Sequence, residues 1–358
     1  MDALANLVQD VRADGALFGR SILTPPWSVR LADGAPLKLV TLLSGDGWIV
    51  PDDGDAVRLV HGEVAIVVGA VPFTVTDEPA VPGAPHDPDA PSPHLYVVLG
   101  PEGCTDGDGV AIRDEFRLGV RTCGTSLDGP TVLLTGSYQA RGQVSRRLLD
   151  ALPRVLVVPH EGELCAVLDL TVAEVTRNEP GQQAVLDRLL DLLLLTTLRE
   201  WFARPEADPP AWYRALGDPV VGHALRLVHE RPAEPWSVAS LAAETGVSRA
   251  TFARRFTDLV GEPPMTYLTG WRLSLAADLL ARTDDTVEAI ARRVGYVSGF
   301  GLSVAFKRVY GTRPSDHRAL AADGDRRAGS PPGDPPRDRV VPRATNPVTA
   351  TAVGAAPR

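Results

Sequence analysis

The hydrophobic rhythm of the chain changes near residue 180. Upstream, short β-branched and aliphatic runs follow one another closely: PLKLVTLLSG, GWIVPD, AVRLV, GEVAIVVG, PFTVTD, HLYVVLG, then TVLLTGSYQ and RVLVVP. Gly, Asp and Pro punctuate them, which is the signature of short strands in a sandwich or barrel. The stretch DEPAVPGAPHDPDAPSP (77–93) predicts an exposed loop among them. Downstream the period lengthens to that of a helix. In GQQAVLDRLLDLLLLTTLREWFAR, Val185, Leu189, Leu192 and Leu193 fall along one face, Leu186, Leu190 and Leu194 widen it, and Leu195 and Leu198 lie on the far side. Such a helix must pack against its own domain, a second subunit, or both. PEADPPAWYRALGDP (205–219) then predicts a linker, and the Pro-, Gly-, Ala- and Arg-rich end of the chain a disordered tail.

Between 219 and 318 the pattern is wholly helical, and one phrase occurs twice: LAAETGVSRATFARRF, and later IARRVGYVSGFGLSVAFKRVYG. In each, a small residue stands four positions before a glycine (Ala242 and Gly246, Ala291 and Gly295). A serine follows, then an apolar anchor with a Phe four residues on. The small residue lets two helices approach closely, and the glycine supplies the turn between them. Ser237 is positioned to cap the first helix, with Trp236 and Leu241 as a hydrophobic staple. Asp285 and Glu288 have capping-box-like spacing before the second unit, while Ser248 and Ser298 are the expected caps of the two second helices. Burying Phe252 and Phe256 turns Ala250 and Arg254 outward, with Arg249 near the helix start, on the side that would enter a major groove. The expected DNA contacts are therefore Arg249, Ala250, Thr251, Arg254 and Arg255 in the first unit, and Phe300, Ser303, Val304, Lys307 and Arg308 in the second. PPMTYLTGWRLSLAADLLART joins the units, with Leu268, Trp271, Leu275 and Leu279 at helical spacing. A helix of about 19 residues is roughly 28 Å long, close to the roughly 34 Å between successive major-groove faces.

A formal net charge of -9 looks wrong for a DNA-binding chain until it is divided. Residues 1–218 hold 17 Lys and Arg against 31 Asp and Glu, whereas residues 219–318 hold 13 against 10. The acidity belongs to the strand-rich part, and its repulsion is screened beyond roughly 8 Å at physiological ionic strength. The opening MDALANLVQDVRADG carries acid where a secretion signal needs a positive segment, and no apolar run reaches membrane-spanning length. A cytoplasmic protein with no membrane partner is expected.

Here a resemblance becomes specific. The stretch SLAAETGVSRATFARRFTDLVGEPPMTYLTGWRLSLAADLLARTDDTVEAIARRVGYVSG, continued by AFKRVYGTRPSDHR, resembles the DNA-binding domain of the AraC family of transcription regulators. The N-terminal part (PPWSVR, GEVAIVVGAVPFTV, TVLLTGSY, RRLLDALPRVLVVP) is similar to the cupin-like sensory domain of one subgroup of that family. What the resemblance implies is an α+β, two-domain, one-component regulator with no catalytic role. A cupin-like β-barrel at 1–180 would sense a small molecule that the sequence does not identify. A connector helix and linker at 181–218 would dimerise the chain, an all-α double helix-turn-helix at 219–320 would bind promoter DNA, and a tail would occupy 321–358. RNA polymerase is the further partner of such a promoter-bound protein.

Rival chemistries are weaker. A metal-dependent cupin enzyme needs an HxH pair, a carboxylate and a later His. The chain has no HxH; His61 sits at a strand turn, and His86 and His94 lie in or beside the Pro-rich loop. No metal or cofactor is therefore expected. Cys104 and Cys123 sit in glycine-rich contexts that suit a redox-sensing pair, whereas Cys165 reads as buried. Trp27, Arg30, Trp48 and Tyr96 are the candidates to line a barrel pocket. Finally, the two units differ: Gly299, Phe300, Ser303 and Val304 offer a single hydroxyl where the family usually presents polar groups. One well-read half-site and one degenerate half-site are the expected result.

Overall fold

The structure, a computed structural model of the 358-residue chain, describes residues 11–12, 19–78, 95–100, 103–105, 117–119, 122–124 and 126–328, the last range without 141, 160, 161, 178, 205, 206 and 208. The strands are β1 (Val11–Arg12), β2 (Gly19–Leu23), β3 (Trp27–Leu31), β4 (Leu37–Ser44), β5 (Gly47–Pro51), β6 (Val57–Leu59), β7 (Val64–Val68), β8 (Phe73–Thr76), β9 (Leu95–Gly100), β10 (Gly103–Thr105), β11 (Arg117–Gly119), β12 (Thr122–Gly124), β13 (Thr131–Ala140) and β14 (Val155–Val158). All eight runs read from the hydrophobic pattern are strands; β1, β2, β3, β10, β11 and β12 were not among them. Two sheets result, in the orders β11-β12-β2-β13-β4-β7-β14, with β1 on β13, and β10-β9-β3-β8-β5-β6. Most of the Pro-rich segment 77–93 lies outside the described residues.

Alternation along the strands gives the larger sheet two buried faces. Val40, Leu42, Ala65, Val67 and Leu133 meet Trp27, Val29, Ile49, Phe73 and Val75 of the smaller sheet in one core. Leu37, Leu39, Ile66, Leu134, Tyr138 and Leu156 face the other way, into a second core built with helices. Those helices are α1 (Gln143–Leu149), α2 (Gly162–Val175) and α3 (Gln182–Ala203). The expected connector is thus part of this layer: Leu186, Leu190, Leu193, Leu194 and Leu198 of α3 are buried with the sheet residues, and the Tyr138 hydroxyl donates to the Leu190 carbonyl at 2.8 Å. The face centred on Val185, Leu189 and Leu192 is turned outward, with Val185 and Leu192 each 45% exposed. An α3 that is apolar nearly all round leaves the choice of buried face to the sheet it packs on.

Eight further helices follow: α4 (Ala211–Ala215), α5 (Val221–Glu230), α6 (Val238–Glu244), α7 (Arg249–Val260), α8 (Pro264–Arg282), α9 (Val287–Arg293), α10 (Gly299–Tyr310) and α11 (Pro314–Ala328). Two boundaries differ from expectation. The 205–219 stretch holds α4, and its Asp218 carboxylate accepts the Val220 and Val221 amides that open α5. The expected tail from 321 begins inside α11, which runs to Ala328; residues 329–358 lie outside the described residues.

Helix α8 is divided between two cores. Tyr267, Leu268 and Trp271 belong to the large core that also holds α5, α6 and α7. Leu273, Ala276, Ala277 and Leu280 pack instead with Ile290, Ala291, Val294, Leu302 and Phe306. Its burial is therefore broader than the stripe of Leu268, Trp271, Leu275 and Leu279; the last two are half-buried at its margin.

Candidate nucleic-acid interface

The first unit, α6 and α7, is built as its pattern requires. Ala242 is buried at the close approach, and Gly246 takes a φ of 71°, a left-handed turn in which a side chain is strained. The Ser237 hydroxyl accepts the Ser240 amide while the Ser240 hydroxyl accepts the Ser237 amide, a capping box closed by serine where glutamate is more usual. Trp236 packs against the core that contains Leu241. Ser248 caps α7 by accepting the Thr251 amide at 3.2 Å. Phe252 and Phe256 are fully buried, which leaves Arg249, Ala250, Thr251 and Arg254 exposed.

Arg255 departs from expectation. Its Nε and Nη2 both donate to Asp218 Oδ2, at 3.0 and 2.6 Å, so it faces the start of α5 and not the exposed side of α7. Burial pushes the Asp218 carboxyl up, but the Arg255 hydrogen bond and the two backbone amides outweigh it and hold the group below its usual value. Arg255 is a structural tie between α7 and α5.

In the second unit, Ala291 is buried and Gly295 has a φ of 88°. A Cβ there would stand 2.6 Å from Arg272 Nη2 and 2.8 Å from the Pro232 carbonyl, so glycine is required twice over. Arg272, from α8, donates to the Pro232 and Glu234 carbonyls at 2.7 and 2.6 Å and so pins the loop before the first unit beside the turn of the second. The expected Asp285–Glu288 capping box does not form. Thr286 is the cap, accepting the Ala289 amide; Asp285 pairs with Arg293 at 2.8 Å; and Glu288 reaches across to accept the Gly299 amide at 2.6 Å. The chain preferred the residue one position later because its hydroxyl, not the Asp285 carboxylate, meets the free amides.

Ser298 caps α10 as expected, accepting the Gly301 amide. Gly299 is the first residue of α10 and is buried under Glu288, whose carboxylate would lie 2.9 Å from an added Cβ. Its glycine is thus explained by close packing. Phe300 is 80% exposed, Val304 56%, and Lys307 and Arg308 are exposed. Ser303 turns its hydroxyl onto the Gly299 carbonyl at 2.7 Å. Val297, 99% exposed, and Arg313 were missed by the sequence reading. A groove of about 570 Å³ runs here, lined among others by Val287, Phe300, Val304, Lys307, Arg313 and Pro314.

Helix α1 of the sheet-bearing part docks on α8. The Asp278 carboxylate, 1% exposed, accepts the Gln143 and Val144 amides at 2.5 and 3.2 Å, so α8 caps a helix 135 residues away in sequence. Gly142, at a φ of 117°, makes room: a Cβ would stand 2.7 Å from Asp278 Oδ1. Arg147 lies over the Tyr267 ring, 5.3 Å from its centroid, and 3.9 Å from Glu262. His229 packs against Trp271 with ring centroids 4.3 Å apart and meets the Tyr267 hydroxyl at 2.7 Å; burial first, then the Arg147 charge, lowers its pKa to about 4.

Among the barrel candidates, Trp27 faces the inter-sheet core and is fully buried, with an indole N–H that has no partner among the described residues. Arg30 lies on the opposite face of β3, in an ion pair with Asp52, and Trp48 is half-buried on the matching face of β5. Tyr96 pairs in register with Ser28. Lys38 is buried among β-sheet residues, paired with Asp33 at 2.9 Å. Cys104 and Cys123 lie on β10 and β12, in different sheets and not in loops, and Cys165 is half-buried. His61 is exposed at a turn; His86 and His94 lie outside the described residues. No helix among the described residues is long and apolar enough to cross a membrane.

The profile of the Cupin family matches residues 2–203, and that of the Helix-turn-helix domain family matches 241–319. The chain is 35% identical over 324 residues to the HTH-type transcriptional regulator AlkR of Acinetobacter baylyi, covering 89% of this chain and 99% of that one. It is 30% identical over 323 residues to an AraC-like transcription regulator of Streptomyces lividans, covering 89% and 98%. Among solved structures, the DNA-binding domain of AdpA in complex with a target DNA is similar at 34% identity and a TM-score of 0.29, over 32% of this chain and all of that one. The chain belongs to the AraC-type DNA-binding transcription regulators with an N-terminal cupin domain.

Proposed function

We propose that the two helix-turn-helix units lie in successive major grooves of one operator, α7 in the first and α10 in the second. The observation that carries this is α8. One continuous helix belongs to both cores, and Arg272 ties the first unit to the second, so the two outward faces are held as a rigid pair. Arg249, Ala250, Thr251 and Arg254 are the first unit's contacts, and Phe300, Ser303, Val304, Lys307 and Arg308 the second's. Arg254 reads a guanine edge, and Lys307 and Arg308 hold phosphates.

The sheet-bearing domain, which keeps α3 (Gln182–Ala203) as its outer layer and so extends past the expected boundary at 180, senses a small molecule between the sheets. The unpartnered Trp27 indole supports that reading, because such a group offers a hydrogen bond to a ligand in an otherwise apolar space. The docking of α1 on α8 connects the sensor directly to the helix that spaces the reading units. The outward stripe of Val185, Leu189 and Leu192, with Leu170 on neighbouring α2, supports a homodimer contact, and RNA polymerase is the partner at the promoter. The experiment is footprinting of the full chain on a selected operator. Two protected major grooves about one helical turn apart are expected; protection of a single groove would overturn the two-unit reading.

A further inference from the structure

The second reading helix presents a surface with almost no hydrogen-bonding capacity for base edges. Phe300 and Val304 stand one turn apart and are 80% and 56% exposed, and Val297 just before the helix is 99% exposed. Ser303, the one hydroxyl among Gly299, Phe300, Ser303 and Val304, already donates to the Gly299 carbonyl. The first helix is the opposite, with Arg249, Thr251 and Arg254 exposed.

An apolar strip of this size on a protein surface calls for a covering partner, and its surroundings say which. Lys307 and Arg308 follow it on the same helix and Arg313 lines the same groove, together with Glu288, whose carboxylate accepts the Gly299 amide, so the strip is bordered by exposed cations that suit DNA phosphates. On the floor of a major groove the one apolar group is the C5-methyl of thymine. We propose that the second unit selects its half-site through pyrimidine C5-methyl groups, with Phe300 and Val304 as the specificity-determining residues and Lys307, Arg308 and Arg313 as the positioning cations. This rests on the reading that α10 enters a major groove. It replaces a degenerate second half-site with one that prefers thymine, and it makes 5-methylcytosine an equivalent of thymine there.

Deoxyuridine in place of thymine removes the methyl and keeps every hydrogen-bonding atom, so the test uses the unaltered full chain on its selected operator. Each contacted methyl that is removed from the second half is expected to weaken binding about fourfold. The base pair read by Arg254 is recognised through a guanine edge and not a methyl, so the same replacement leaves that contact unchanged. 5-Methylcytosine in place of cytosine at those second-half positions restores binding. In a second arm, Phe300→Ser and Val304→Ser bring the thymine and deoxyuridine duplexes to the same affinity. Equal binding of the thymine and deoxyuridine operators, with the second groove still protected, overturns the proposal and leaves the two-unit reading standing. Loss of affinity by Phe300→Ser for both duplexes alike also overturns it, as does loss of promoter activity with DNA binding unchanged, which assigns the strip to a protein partner. Absence of any protection over the second groove, with Lys307→Ala without effect, is the failure of the two-unit reading itself.

Discussion

Replacing Asp278 by alanine should loosen the cupin domain from the DNA-binding half while leaving the helix-turn-helix units folded. The carboxylate is buried on α8 and accepts the first two amides of α1. No side chain near Gly142 does this in its place, because α1 opens without a side-chain cap of its own. Loss of a helix cap costs about 0.5–2 kcal/mol. Hydrogen bonds to a charged acceptor contribute about 1.5–3 kcal/mol each, offset by the cost of taking the carboxylate out of water on docking. A net loss of about 1–2 kcal/mol follows, which is roughly a 5- to 30-fold shift toward the undocked form. Hydrogen exchange reads this directly: the Gln143 and Val144 amides should exchange faster by that factor, and residues 143–149 should lose protection together. Asp278→Asn should fall between the two, since it keeps one acceptor and loses the charge. Gly142→Ala should give the same phenotype from the other side, because its Cβ would meet the carboxylate at 2.7 Å. If α1 kept its full protection in Asp278→Ala, the cap would not be what holds the two parts together, and the proposed route from sensor to tether would fall with it.

Four shorter predictions follow from the same geometry. Arg254→Ala should relax operator preference at one base pair by about 1–3 kcal/mol, visible in repeated sequence selection. Lys307→Ala should instead weaken all sequences alike and flatten the slope of log affinity against log salt by about 0.9. Stability should fall with acid because His229 is held neutral when folded: its pKa is about 4 in the fold against 6.5 unfolded, so the contribution is complete above 6.5 and is lost as pH drops toward 4. Between pH 7 and 5 the loss is roughly 2 kcal/mol by denaturant titration, and His229→Phe should abolish that pH dependence. Leu192→Glu, on the outward stripe of α3, should lower the sedimentation-measured mass of a dimer without altering the melting of the monomer.

The local construction of the DNA-binding half was legible in the sequence because its rules are local. Caps act within four residues, a positive φ is by itself enough to call for a turn glycine, and the Phe252–Phe256 pair fixes which side of α7 is outward through the helical period alone. Eight strands were readable from their apolar runs and turn signals, whereas β1, β2, β3, β10, β11 and β12 were not. What the sequence left undecided were choices between faces and partners far apart in the chain. A strand with two apolar environments does not say which side is the barrel interior, so Trp27 could be separated from Arg30 and Trp48 only once β3 and β5 were in register. An α3 with leucines nearly all round gives two plausible stripes, and packing on the larger sheet selected the one through Leu190 and Leu194. Arg255 looked like its neighbour Arg254 until Asp218 met it from the turn before α5, and Glu288 looked like a cap until Gly299 came within reach. The Asp278 contact crosses 135 residues, a distance over which no periodicity carries information. Short-range sterics and hydrogen bonding thus set the elements, whereas desolvation of long-range polar pairs, which exists only once the chain has folded, set how the cupin domain is fastened to the DNA-binding half.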